Sequence, residues 1–340
     1  MGIPVRQAVA VSGYLMKQKL KGNKRYPLVL MLEPLYRCNL ACAGCGKIQH
    51  PESVLNTYLT PEQCWAAADE CGAPVVSIAG GEPLVHPQID EIVRGLVARK
   101  KFVYLCTNAI LLERWLPKLT PSAYLTISVH MDGLRDLHDR MVDRAGTFDR
   151  AVAGIREAKR RGFRVSTNTT VFADSSPEQM GQLFTFLMED LRVDGMMVSP
   201  GYDYPKAPDQ RVFLRRPQMI ETFRRIFALP GRRKWRFFHT PLFLEFLQGK
   251  QAMQCTAWGN PTRSVFGWQR PCYLMAEGYV PTFRQLIEET EWDRYGYGRD
   301  ARCTNCMAHC GYEATAVKAT MASPLEGIRA GAGALLGKGA

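Results

Sequence analysis

Cys38, Cys42 and Cys45 stand as C-x-x-x-C-x-x-C. Three thiolates crowded on one loop can each hold one iron of a [4Fe-4S] cube, leaving the fourth iron open to another ligand. A second group lies far downstream: Cys255 and Cys272, then Cys303, Cys306 and Cys310 as C-x-x-C-x-x-x-C. Paired cysteines at this spacing suit zinc or an iron-sulfur cluster, because one tight turn points both sulfurs at one centre. That group therefore has three readings: a second cluster, a zinc site or unligated thiols. Cys64, Cys71 and Cys106 bring the total to 11. An odd number, clustered at ligand spacings, favours free thiols in a reducing compartment over a disulfide framework.

The elements that must position these residues follow from periodicity. Leu28 to Leu32 is a continuous apolar run that Pro34 stops, so the first cysteines fall in the loop beyond a buried strand. Val75 to Ala79 makes a second strand and enters the turn Gly80-Gly81-Glu82-Pro83. Further strands are expected at Phe102 to Ala109, Leu125 to Met131, Arg164 to Phe172 and Gly195 to Pro200. Helices are expected at Pro87 to Lys100, Thr147 to Gly162 and Ser176 to Leu191. Strands alternating with helices of this length imply right-handed βαβ units and a parallel sheet. Side chains then alternate between lumen and helices. That parity sends Tyr104, Cys106 and Asn108, then Thr126, Ser128 and His130, then Asn168 to the lumen. His130 reads as a pocket histidine with its own partner. Cys64 and Cys71, on and at the end of a helix, read as small buried hydrophobes.

The cysteine loop and the GGEP turn, one βα unit apart, together resemble the radical S-adenosylmethionine (SAM) superfamily. The resemblance implies an α/β fold, a partial (β/α)6 TIM-like barrel with a small cysteine-containing C-terminal extension. It implies that Cys38, Cys42 and Cys45 hold a [4Fe-4S] cluster whose open iron SAM chelates, while Gly80, Gly81, Glu82 and Pro83 meet the SAM amino group. Ser128 and Asn168 take the family's ribose and carboxylate contacts, and the lumen-facing Asn108 joins the cofactor-binding set. One departure is Gly44, where members usually carry an aromatic residue that meets the adenine. The run Cys255-x11-Gly267-x4-Cys272 with Cys303, Cys306 and Cys310 resembles the SPASM and twitch extensions, which hold an auxiliary [4Fe-4S] cluster. The expected organisation is a basic arm over 1–26, the barrel over 27–215, the extension over 216–320 and a flexible tail over 321–340.

Longer stretches narrow the resemblance. Gly201 to Gln210, Cys255 to Leu274, Tyr295 to Cys303 and Cys306 to Val317 resemble the radical SAM proteins of hopanoid biosynthesis. This implies a transferase in which the 5'-deoxyadenosyl radical adds to the alkene of diploptene to give adenosylhopane, with flavodoxin or ferredoxin as electron donor. The product radical then needs a hydrogen atom. Cys106 is the thiol that parity places in the lumen, so it is the candidate catalytic donor, the alternative being an ordinary buried cysteine. Two other classes compete: a twitch-type enzyme abstracting hydrogen from a peptide or polar metabolite, and a non-enzymatic iron-sulfur or zinc module.

Charge adds a partner. The net charge is +12, and the first 25 residues hold Arg6, Lys17, Lys19, Lys21, Lys24 and Arg25 with no acid, beside Val5, Val9, Met16 and Leu20. Such an arm either lies on an anionic membrane or is a solvated, partly helical segment. No RNA-binding or helix-turn-helix pattern accompanies the basicity, so nucleic acid is not expected. The location read from these features is cytoplasmic, peripheral to the inner membrane face if the arm binds lipid.

Overall fold

The computed structural model describes residues 3–322; the expected flexible tail lies almost wholly outside them. The first strand is β1 (Val29–Leu32), followed by β2 (Val75–Ile78), β3 (Phe102–Thr107), β4 (Leu125–His130), β5 (Arg164–Val171) and β6 (Gly195–Pro200). All six pair in parallel, each with the next. The helices in chain order are α1 (Val5–Leu20), α2 (Glu52–Leu55), α3 (Pro61–Cys71), α4 (Ile89–Ala98), α5 (Leu112–Trp115) and α6 (Arg135–Met141). Then come α7 (Thr147–Arg160), α8 (Pro177–Glu189), α9 (Arg216–Ala228), α10 (Pro241–Leu247), α11 (Phe283–Glu289) and α12 (His309–Ala322). Thr60 and Ser176 open α3 and α8 with capping boxes to Gln63 and Gln179, each followed by a proline that needs no donor there.

The outward side chains of the strands, among them Leu30, Val76, Leu105, Ile127 and Val165, are fully buried with the helices in one main core. Cys64 and Cys71 belong to that core. The lumen face carries the polar series that parity assigned, with Cys106 paired in register with Ser128 and His130 with Asn168.

Two features lie beyond what the sequence reading anticipated. Residues after α10 return to the sheet: β7 (Thr262–Ser264) pairs in parallel with β1, and β8 (Gly267–Pro271) and β9 (Ala276–Val280) add antiparallel strands outside it. The sheet order is β6-β5-β4-β3-β2-β1-β7-β8-β9, so part of the cysteine-containing extension continues the barrel sheet. The basic arm is α1, and one of its faces packs across the barrel. Leu15 and Gln7 are buried, and Val11 joins both of two small apolar clusters separate from the main core.

Candidate active site

Between the strands, α1 and α12 runs one cavity of about 640 Å³, within the range of roughly 300–1,000 Å³ for ligand sites. Its upper end lies at the C-terminal tips of the strands. Cys38, Cys42 and Cys45 all line it there, with Gly80, Gly81, Glu82, Asn108, Ser128 and Asn168. Pro83 does not line the wall; it opens a short 3-10 turn behind Glu82, which corrects its expected contact with the cofactor.

The two glycines are needed for close approach. A side chain on Gly80 would sit 2.4 Å from the Leu35 carbonyl oxygen, and one on Gly81 would sit 2.1 Å from that of Arg37. Gly80 also has φ +102, a conformation that suits glycine. The turn therefore lies directly against the chain leading into the cysteine loop. The Gly81 and Glu82 N–H groups donate to Leu35 and Arg37, which fixes one motif on the other. Glu82 is buried, and its carboxylate accepts from Leu84 N–H, Thr107 Oγ1 and Asn108 N–H. Burial nevertheless pushes its pKa up to about 7. Asn108 Nδ2 donates to Asn39 Oδ1 at 2.7 Å, tying the end of β3 to the cysteine loop.

Each of the three thiols is raised by burial above its ordinary pKa. Cys42 is raised further by Cys45 and Cys38 beside it, as expected of sulfurs gathered at one place. A cationic cluster reverses that preference, because a coordinating thiol is deprotonated outright. Ser128 Oγ is buried on the cavity wall without a hydrogen-bond partner, an acceptor and donor left for a ligand. Three grouped thiols with this orphaned hydroxyl fit a cluster and a polar cofactor bound next to it.

Gly44 has a physical explanation. A Cβ there would meet the Phe172 ring at 2.7 Å, and one on Gly201 would meet the same ring at 2.9 Å. The aromatic ring expected before Cys45 is brought to that place from just beyond β5, and Phe172 lines the cavity. Nothing in the local motif signalled this exchange.

Other residues the sequence reading missed are ionic. Lys47 pairs with the fully buried Glu33 at 2.8 Å, and its Nζ lies 4.1 Å from the Tyr273 ring centre. It thereby ties the cysteine loop to the C-terminal segment. His130 pairs through Nε2 with Asp132 at 2.7 Å, the partner expected of a pocket histidine. Burial works against its protonation, but Asp132 and Glu82 together hold its pKa above the ordinary value.

Cys106 lines the middle of the cavity, its Sγ 3.4 Å from Ser77 Oγ. Burial raises its pKa, which keeps it a thiol. Tyr104, Cys106 and Asn108 form a ladder on β3 with rungs about 7 Å apart. Asn108 touches the cysteine loop, and Tyr104 donates from its hydroxyl to Gln7 of α1 at 3.0 Å. Below Cys106 the wall is apolar, with Val11, Leu15, Val29, Val75, Phe238 and Val317.

The second cysteine group also gathers. Cys255 is raised well above its ordinary value by burial, then by Cys306, Cys272, Cys310 and Cys303 around it. Gly311 allows the approach, since a side chain there would sit 2.8 Å from Cys255 Sγ. Cys310 reaches the cavity wall; the other four lie behind it. Among the described residues, no three His, Cys, Asp or Glu side chains converge on a single metal ion. Of the aromatic residues considered for a substrate route, Tyr202, Tyr204 and Phe238 line the cavity, whereas Trp268 is core and donates to Glu70.

Residues 32–187 match the model of the radical SAM superfamily. The chain carries a radical SAM domain. Such domains use a [4Fe-4S] cluster and SAM, and the barrel described above is the fold of this class. Residues 196–330 match a second family, described as a domain of unknown function (DUF3463). Among relatives, a GTP 3',8-cyclase of Clostridium perfringens is 26% identical over 170 residues, 47% of this chain and 53% of that protein. An AdoMet-dependent heme synthase of Methanosarcina barkeri is 31% identical over 150 residues, 43% of each chain. The radical SAM chain thus spans about half the length of these relatives, whose named activities differ from one another. The structure of Streptococcus suis SuiB superposes with TM-score 0.63 at 18% identity, covering 85% of this chain and 70% of SuiB. Native anSMEcpe with bound AdoMet superposes with TM-score 0.59 at 17% identity, covering 90% of this chain and 100% of anSMEcpe. The hopanoid branch is not among these relatives, so the match establishes the domain and leaves the substrate to be argued from the cavity.

Proposed function

We propose that this protein is a radical SAM adenosyl transferase that joins the 5'-deoxyadenosyl group to the terminal alkene of diploptene. One observation carries the reading: a single cavity is polar at the cysteine end and apolar toward α1, with a buried thiol at the seam. A polar metabolite or peptide would leave that apolar half unmatched, whereas a polycyclic hydrocarbon fills it without stranding polar groups.

When bound and reduced, the cluster and SAM together supply a 5'-deoxyadenosyl radical, whose addition to the alkene leaves a tertiary carbon radical on the hydrocarbon. Cys38, Cys42 and Cys45 hold the cluster. The Glu82 carboxylate and the carbonyls of the Gly80-Gly81 turn meet the SAM amino group. Ser128, Asn168 and Asn108 orient its polar remainder, and Phe172 offers a ring to the adenine in place of a side chain at Gly44. Cys106 then gives its S–H hydrogen atom to the carbon radical. The resulting thiyl radical returns to thiol with one electron and one proton, the electron coming from a ferredoxin- or flavodoxin-type reductant. The five C-terminal cysteines exceed by one the four that complete a second [4Fe-4S] cluster, which suits them better than zinc.

The test is incubation of the reconstituted, reduced protein with SAM and diploptene, followed by mass analysis of the lipid extract. The expected product carries the mass of diploptene plus the adenosyl group and one hydrogen. SAM cleavage that releases only free 5'-deoxyadenosine, with diploptene unchanged, overturns the transferase assignment.

A further inference from the structure

Helix α1 is apolar on two opposite faces. Its inner face sends Gln7, Val11 and Leu15 onto the cavity floor. At 100° per residue, Val5, Val9, Met16 and Leu20 fall on a narrow stripe on the other side. These four are 60%, 66%, 55% and 81% exposed, half of the eight exposed large apolar side chains among the described residues. A solvated helix has no reason to carry such a stripe. Around it stand Arg6 and Lys17 on one flank and Lys19 on the other, followed by Lys21 and Lys24, all exposed. The acid nearest in the fold is Asp293, 3.8 Å from Arg25 and beyond the helix end. The other exposed apolar residue nearby is Met321 of α12, whose sulfur lies 3.6 Å from Ser12 Oγ on α1.

An apolar stripe bordered by cations and free of acids matches the interface of an anionic bilayer, where the stripe enters the acyl boundary and the cations meet phosphates. We propose that α1 docks the protein on an anionic phospholipid surface through Val5, Val9, Met16 and Leu20. The apolar end of the cavity then lies one helix thickness from the lipid, at the opposite end from Cys38, Cys42 and Cys45. Little holds α1 across that floor: the Tyr104–Gln7 hydrogen bond, Arg6 over the Tyr124 ring at 4.7 Å, and two small apolar clusters. Its N-terminus has no side-chain cap. A hydrocarbon substrate thus passes from bilayer to cavity beside α1 without crossing water. This route, though not the docking, rests on the diploptene reading.

The experiment is co-sedimentation of the full chain with vesicles of phosphatidylcholine alone or with 30% phosphatidylglycerol, a composition chosen so that charge is the variable. Binding is expected to the anionic vesicles and to weaken at least tenfold in the double variant Val9→Glu, Met16→Glu. Neither residue lines the cavity. No binding, or equal binding by the variant, overturns the docking. A dimer in gel filtration that the same variant dissolves also overturns it, since the stripe is then covered by a second copy. Conversion of diploptene in detergent is expected to survive in the variant, while conversion from vesicles is expected to fall. Full conversion from vesicles by the variant overturns the route. Absence of adenosylated product from the wild type in either medium instead overturns the functional reading and leaves docking to the sedimentation result.

Discussion

At its upper end the cavity is walled by strand tips and the short loops that follow them. At its lower end it is closed by two helices, α1 and α12, from opposite ends of the described chain. The upper wall is held by backbone contact, with Gly81 and Glu82 donating to Leu35 and Arg37. The lower wall is held by one side-chain hydrogen bond and two minor apolar clusters. The difference separates a rigid place, suited to fixing a cofactor, from a loosely held one, suited to admitting a bulky substrate. Rigidity here comes from glycines that let two loops touch; looseness comes from a helix with little of its surface in the main core.

The largest effect that sharpens this contrast is expected at the upper end. Replacing any of Cys38, Cys42 or Cys45 by alanine should lower SAM cleavage to background with loss of cluster absorption and bound iron. Far-ultraviolet circular dichroism should hardly change, because none of the three belongs to the main core. Next is the seam. Cys106→Ala should leave SAM cleavage within about threefold of wild type, under 1 kcal/mol of barrier. It should lower the yield of adenosylated hydrocarbon or mix the configuration at the quenched carbon. Unchanged yield and configuration would remove Cys106 as the donor.

A third effect depends on pH. Burial holds the Glu82 proton up to about pH 7, whereas the cationic SAM amino group requires the carboxylate. SAM affinity should therefore rise as pH increases through about 7 and fall as Glu82 protonates below it, measured by calorimetric titration between pH 6 and 8. Glu82→Gln should bind SAM about tenfold or more weakly, in line with about 1.5–3 kcal/mol for a hydrogen bond to a charged group, and should lose the pH dependence. The smallest effect is expected at the lower end. Tyr104→Phe removes the bond to Gln7 and should cost about 1 kcal/mol. Hydrogen exchange should accelerate in α1 while the strands stay protected; acceleration across the sheet would show that the two ends are not independently held.

Legibility in the sequence follows the same division. The six strands, their parity and the cysteine loop are written in local periodicity. Cys106, Ser128 and Asn168 accordingly lie where alternation put them. The arm reads as basic and apolar either way; its inward face depends on a barrel floor that no local pattern reveals. Phe172 filling the space at Gly44 is likewise a contact across the cavity, invisible to a motif that looks one residue before a cysteine. Lys47 reads as a surface lysine until Glu33 and Tyr273 are brought beside it.

The pairing of β7 with β1 bears on how the chain can be divided and made. Met31 and Leu32 wait for Thr262 and Arg263 as their neighbours, so throughout synthesis of the first six strands β1 presents unpaired N–H and C=O groups to the surroundings. A fragment cut after residue 215 keeps that bare edge permanently. It also loses α12 and the Tyr273 contact of Lys47. Such a fragment should aggregate through β1, although it contains the three cysteines and the GGEP turn.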